Sequence, residues 1–148
     1  MKPLTSADKK KIIEQLNSQF GITSLPYLLI QFGQEKIRAY SGVLSKEELC
    51  YLDREIRIEN IGLYFAKYEG DEIRLTLDGI QLLKDQITKN IIELNDEQAN
   101  EWFKGLDIEI QVGYGWKVLK HNNELIGCGK STEEKITNFM PKERRIKG

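Results

Sequence analysis

An α+β fold in two units is predicted by three observations. Over residues 1–86 the apolar spacing alternates between helical and strand periods, in the order helix, hairpin, helix, hairpin, helix. From residue 87 onward the pattern changes to a short strand, one helix and then three strands. No internal repeat or low-complexity linker divides the chain, so the boundary near 86–89 is soft. We therefore read 1–86 as a mixed α/β unit and 87–148 as a small β-rich unit. At roughly 60 residues the second unit is too small to bury much surface alone, and it needs packing against the first.

Each element has a local reason. Ser6 opens a helical pattern with Ile12, Ile13, Leu16 and Phe20 on one face, and Gly21 supplies a C-terminal stop. Pro26–Phe32 and Lys36–Tyr40 read as a hairpin around a Gly33–Gln34 turn. Ser45 and Glu48 form a capping box for a short helix carrying Leu49 and Leu52. Ile61–Tyr68 and Ile73–Leu77 pair across a turn containing Gly70, and Asp78 is placed to cap the next helix. In the second unit, Asn90–Leu94 is a short strand. Asn95 and Gln98 cap a helix that runs to Lys104, with Trp102 and Phe103 inward and Gly105 at its end. Strands at Ile108–Val112, Trp116–Lys120 and Glu124–Cys128 follow, the last two joined through Asn122–Asn123, and a basic loop closes the chain.

Composition narrows the function classes. With 40% apolar and 30% charged residues the chain is globular. Its longest apolar-rich run, around Leu28–Phe32, is too short to span a bilayer, and MKPLTSADKKK lacks the apolar core of a secretory signal. A cytoplasmic location and no membrane partner are expected. Cys50 and Cys128 do not make a disulfide framework. Cys50 reads as a buried small residue, whereas Cys128, between two glycines, could be exposed. Net charge is −1, yet Lys142, Arg144, Arg145 and Lys147 stand against one acid, Glu143, at the C-terminus. That asymmetry can form a basic binding face or a solvated tail.

The segment Gly113–Arg145 holds the motifs. Gly129-Lys-Ser-Thr132 is not a phosphate loop, because the position of its first glycine is Glu124, whose carboxylate repels phosphate. Gly113-Tyr-Gly115 lacks the third glycine of a dinucleotide fingerprint, Val118 standing there. Gly127 and Gly129 at a strand end admit a bulge, a positive φ or the close approach of another backbone, and a bulge could also expose N–H groups to phosphate. His121, the sole histidine, reads as a solvated turn residue. Trp116 is open to core packing, the commoner fate of tryptophan, or to stacking on an unpaired base. No metal-ligand spacing occurs, and no cofactor is expected.

Gly115-Trp-Lys-Val-Leu-Lys, Asn123-Glu-Leu-Ile-Gly-Cys-Gly-Lys and Asn138-Phe-Met-Pro-Lys-Glu-Arg-Arg resemble the PUA (pseudouridine synthase and archaeosine transglycosylase) domain. The closest forms are those appended to Nop/Sun-type RNA cytosine-C5 methyltransferases. Upstream, Ile61-Gly-Leu-Tyr-Phe-Ala-Lys-Tyr and Ile73-Arg-Leu-Thr-Leu-Asp-Gly-Ile-Gln-Leu-Leu resemble the end of a pre-PUA domain, found also in Nip-type ribosome-assembly factors. The resemblance covers residues 55–145; residues 1–54 follow by position and length. It implies a pre-PUA-like α/β domain followed by a PUA-like β pseudo-barrel that binds structured RNA. By that resemblance Lys104, Lys117, Lys120, Lys130, Lys135, Lys142, Arg144 and Arg145 are RNA contacts, with Gly127, Gly129 and Asn138 offering backbone and side-chain contacts to sugar or base edges. The catalytic cysteines of the methyltransferases follow Pro or Thr; here Cys50 follows Leu49 and Cys128 follows Gly127, and no room remains for a methyl-donor fold.

The expectation is a non-enzymatic RNA-binding protein, acting on rRNA or tRNA in modification or ribosome assembly. The alternative is a protein–protein adaptor for an RNA-modifying enzyme or assembly factor. A small enzyme fares worst, because no nucleophile–base pair is present.

Overall fold

The computed structural model of the chain describes residues 1–147. Thr5 caps α1 (Ser6–Phe20) with a reciprocal Thr5–Asp8 box, and Gly21 ends it in the left-handed conformation at φ 84°. A hairpin, β2 (Leu28–Phe32) and β3 (Lys36–Tyr40), is flanked by a two-residue strand β1 (Lys2–Pro3) that the sequence did not announce. The Ser45–Glu48 capping box opens α2 (Lys46–Ile56) as expected. β4 (Leu63–Glu69) and β5 (Glu72–Leu75) form the second hairpin, and together the five strands make one antiparallel sheet in sequential order.

The next helix, α3 (Leu77–Leu83), starts two residues earlier than expected. Its cap is Thr76, whose hydroxyl accepts from Gly79 N and donates to Tyr64 O, so Asp78 lies in the first turn and stays free to meet a cation. Gln19, at the end of α1, is buried and bonds Ile73 through both N–H and C=O, continuing the ladder past the edge strand β5.

The second sheet is mixed, in the order β6-β8-β9-β10-β7. β6 (Ile91–Glu93) runs parallel to β8 (Gly115–His121), which pairs antiparallel with β9 (Glu124–Ser131). Asn122 and Asn123, at φ 49° and 64°, make the tight turn between them. The strand expected at Ile108–Val112 is only β7 (Ile108–Glu109), and the expected basic loop contains β10 (Lys135–Asn138) and a 3₁₀ turn at Lys142–Arg144. Between β6 and β7 lies α4 (Asp96–Phe103), capped by the Asn95–Gln98 box. The sheet curls over α4 as a half-barrel, and its inner residues Ile108, Leu119, Ile126 and Ile136 gather around Ala99 and Trp102.

The two units share one core. Trp116, Val118 and Cys128, from the outer face of the second sheet, join Leu75 of β5 and Ile80 and Leu83 of α3, with Ile87 at the boundary between the units. β8 is therefore apolar on both faces, which explains a run that does not alternate cleanly. Thr88 N donates to Phe20 O, and Asn90 links Gln19 O to Val118 N. The two units are thus joined by a common cluster of side chains and by these hydrogen bonds.

Candidate nucleic-acid interface

Gly127 and Gly129 are buried by Trp102. A Cβ at Gly127 would stand 2.5 Å from Trp102 Nε1, and one at Gly129 would stand 2.5 Å from Ile136 Cγ2 and 2.7 Å from Thr137 O. Neither has positive φ, but the expected bulge lies beside Gly127: Leu119 pairs with Gly127 and Lys120 with Leu125, which leaves Ile126 as the extra residue of β9. The glycines admit an indole ring against the strand. The close approach expected of them is made by that ring and, at Gly129, by the Thr137 carbonyl as well. Gly129, Lys130 and Ser131 lie within β9, and Ser131 is fully buried with its hydroxyl donating to Val112 O, so the GKST string is a strand end.

Asn138 is also structural first. Its Nδ2 donates to Trp102 O at 2.8 Å and Leu106 O at 2.9 Å, and its Oδ1 accepts from Met140 N at 2.8 Å. Replacing Asn138 by alanine breaks all three bonds and is expected to cost about 2–3 kcal/mol, read from the urea midpoint. Beside it, the Asn138 backbone N–H holds the Asp107 carboxyl below the usual carboxylate range, with Lys135 at 3.1 Å adding to the effect. A depressed carboxylate stabilises the fold above the unfolded value of 3.8, and that contribution is lost as pH falls below it.

The cations separate into groups. Lys104, exposed at the end of α4, is joined there by the segment after the 3₁₀ turn: Ile146 N donates to Phe103 O at 2.7 Å, Arg145 Nε donates to Met140 O, and the Arg145 side chain packs over Gly105. Lys142 is exposed on the same terminal segment. Lys130 lies 5.7 Å over the Trp116 ring on β9. Lys117 is 8% exposed, and its Nζ donates to Asn90 Oδ1 at 2.9 Å, so it is bound up in the junction between the units. Lys120 sits at the opposite end of β8, paired in register with Glu93. Lys135 is bridged to Asp107, and Arg144 to Asp78 of α3. The structure places Arg145 beside Lys104 at the end of α4, with Lys142 earlier on the same segment, while Lys117 is held at the junction with Asn90 and Lys120 beside Glu93.

Other expectations shift as well. His121 is hydrogen-bonded to Asp96 at 2.8 Å with its side chain 20% exposed, so it is a tethered residue and not a solvated one. Trp116 is core at 3% exposure. Cys50 is half-buried, and Cys128 is buried, the reverse of the expected order. Burial pushes the Cys128 thiol from 9.0 up to about 12. Its neutral form is thus favoured in the fold, and the stabilisation is lost as pH rises from 9 toward 12. A thiol reagent at pH 8 is expected to label Cys50 in the folded protein and Cys128 only after unfolding.

The sequence reading missed a cleft of about 280 Å³ between the two units, lined by Tyr64, Arg74, Asp78, Trp102, Phe139 and Arg144 among others. Arg74, a lone cation between the buried Ile73 and Leu75 of β5, was the available signal.

Comparisons with known proteins bear on these features together. Residues 89–146 match the model of the methyltransferase RsmF PUA domain. The chain is 29% identical over 146 residues to the ribosomal RNA small subunit methyltransferase F of Psychromonas ingrahamii, which covers 94% of the chain and 29% of that relative. It is 30% identical to the enzyme of the same name from Vibrio cholerae, over 95% of the chain and 30% of the relative. The chain therefore spans less than a third of the length of these relatives. A crystal structure of a hypothetical protein from the hyperthermophilic archaeon Pyrococcus horikoshii shares the fold, with a TM-score of 0.56 at 13% identity over 89% of this chain and 81% of that one.

Proposed function

Because residues 89–146 are a PUA domain of the methyltransferase RsmF type, the RNA-binding module resembled by the sequence, we propose that the chain binds structured rRNA of the small ribosomal subunit. The observation that carries the reading is the packing of the Arg145 side chain over Gly105, next to Lys104, where the terminal segment that bears Lys142 folds back on α4. Cations grouped on a rigid helix end suit phosphates of a fixed spacing, and they fix position on the RNA without reading sequence. Lys130, on β9, is a further proposed contact. Phosphate contact by these residues is part of the proposal.

We further propose that the chain itself does no chemistry on the RNA. The buried Cys128 thiol, held neutral by its surroundings, is unsuited to attack, and His121 faces a carboxylate with no nucleophile beside it. Among the described residues no helix is long and apolar enough to cross a membrane.

Binding of a small-subunit rRNA fragment measured from 50 to 300 mM salt tests the reading. Four phosphate contacts give a log–log slope of about −3, and Lys104→Ala/Lys142→Ala is expected to flatten it by roughly 1.4. A slope near zero in the unsubstituted protein refutes the proposal. Retention of the full slope in the double variant moves the contacts elsewhere.

A further inference from the structure

The fold leaves three buried N–H donors without partners among the described residues, and two of them belong to residues that line one cleft. Arg74 Nε, Trp102 Nε1 and Trp116 Nε1 make no hydrogen bond among the described residues. Arg74 and Trp102 both line the cleft between the units, and Trp116 touches Phe139, which lines it too, with ring centroids 5.4 Å apart. Trp102 is 1% exposed. Folded proteins satisfy nearly all such groups, so the two at this cleft are open to an acceptor from outside the chain.

The cleft has the form of a site for a flat ring. The Arg74 guanidinium lies 4.9 Å over the Phe139 ring, which fixes its plane and leaves its edge donors for something else. Its nearest acid, Glu69, is at 3.6 Å from Nε, beyond hydrogen-bond range. Ile126, Met140 and Pro141 supply apolar walls for the faces of a ring. Acceptors are present as well: Asp78, held by Arg144 at 3.2 Å, and Glu143. At about 280 Å³ the cleft is at the small end of ligand sites, with room for one base and not for a pair.

We propose that this cleft takes an unpaired guanine of the bound RNA, extruded from its stack. Guanine presents two adjacent acceptors, O6 and N7, to one guanidinium fork. Its N1–H and N2–H₂ are donors suited to the Asp78 carboxylate, and they are free only when the base is unpaired. Adenine has no keto acceptor beside N7, and uracil has no exocyclic amine. The inference rests on the RNA-binding reading; Arg74 of β5 and Phe139 are not among the phosphate contacts proposed above, so substitutions there test it separately.

The test uses the full chain. Tryptophan emission is followed on adding guanosine, adenosine or uridine 5′-monophosphate, since the only two tryptophans stand at or beside the cleft. In parallel, binding is measured for a single-stranded RNA carrying one guanine and for the same RNA with adenine there. The variants are Arg74→Lys, which keeps the charge and removes the planar fork, and Phe139→Leu, which frees the guanidinium plane; thermal melts verify that each is folded. The expected result is quenching by the guanosine nucleotide alone. The guanine RNA should bind about tenfold tighter than the adenine RNA, and that preference should disappear in Arg74→Lys while the salt slope stays. Equal binding of the two RNAs by the unsubstituted protein, with a normal salt slope, overturns the base site and leaves RNA binding standing. Guanosine monophosphate binding without any salt-dependent RNA binding assigns the cleft to a free nucleotide, and the proposal falls with the function it rests on.

Discussion

Trp102→Ala is expected to lower the unfolding free energy by about 4 kcal/mol, near the upper end for a core aromatic. The indole is 1% exposed and stands at the centre of the half-barrel, with Ala99, Leu119, Ile126, Ile136 and Met140 in the same cluster. Two backbones have given up side chains to admit it, at Gly127 and Gly129, so nothing nearby can expand into the void. The same residue offers its carbonyl to Asn138, which ties the following segment to the helix. Trp102→Phe should lose much less, because the indole N–H has no bond to break within the fold. Urea unfolding with an unchanged slope would measure both, and a Trp102→Ala loss below about 1.5 kcal/mol would contradict the packing described for the half-barrel.

Gly79→Ala carries the second large effect, and its sign is the informative part. Intrinsic helix propensity favours alanine over glycine by about 1 kcal/mol inside a helix. Yet a Cβ at Gly79 would lie 2.0 Å from the Phe65 carbonyl oxygen, and all three of its nearest atoms are β4 backbone. Backbone cannot swing aside like a side-chain end, so α3 would have to lift from the sheet. Overpacking of this kind costs about 1–3 kcal/mol, and the backbone contact places this case at the top of the range. A net loss of about 2 kcal/mol or more is the expected outcome. Stabilisation would mean that α3 has slack against β4.

Much of the fold was legible because its signals are local. The capping boxes at Ser45–Glu48 and Asn95–Gln98, the glycine stop at Gly21 and the paired asparagines at 122–123 each satisfy a need within a few residues. What escaped notice depends on distant partners. β10 has only four residues and no strand-like run, and it exists because β9 and β7 flank it. Gly127 and Gly129 were recognised as positions of constraint, but the constraint is an indole from α4, 25 residues away in the chain for Gly127. Charge told still less: Lys117 and Lys130 look alike in sequence, and one is locked to Asn90 while the other lies over a ring. The cleft was invisible because its walls come from β5, α3, α4, β9 and the terminal segment.

The common core also has a consequence for the order in which the chain is made. Leu75, Leu83 and Ile87 leave the ribosome before the residues that cover them, Trp116, Val118 and Cys128. Until the strand ending at Ser131 has been synthesised, the nascent first unit carries an uncovered apolar face. A strand-breaking change in β8 would prolong that exposure.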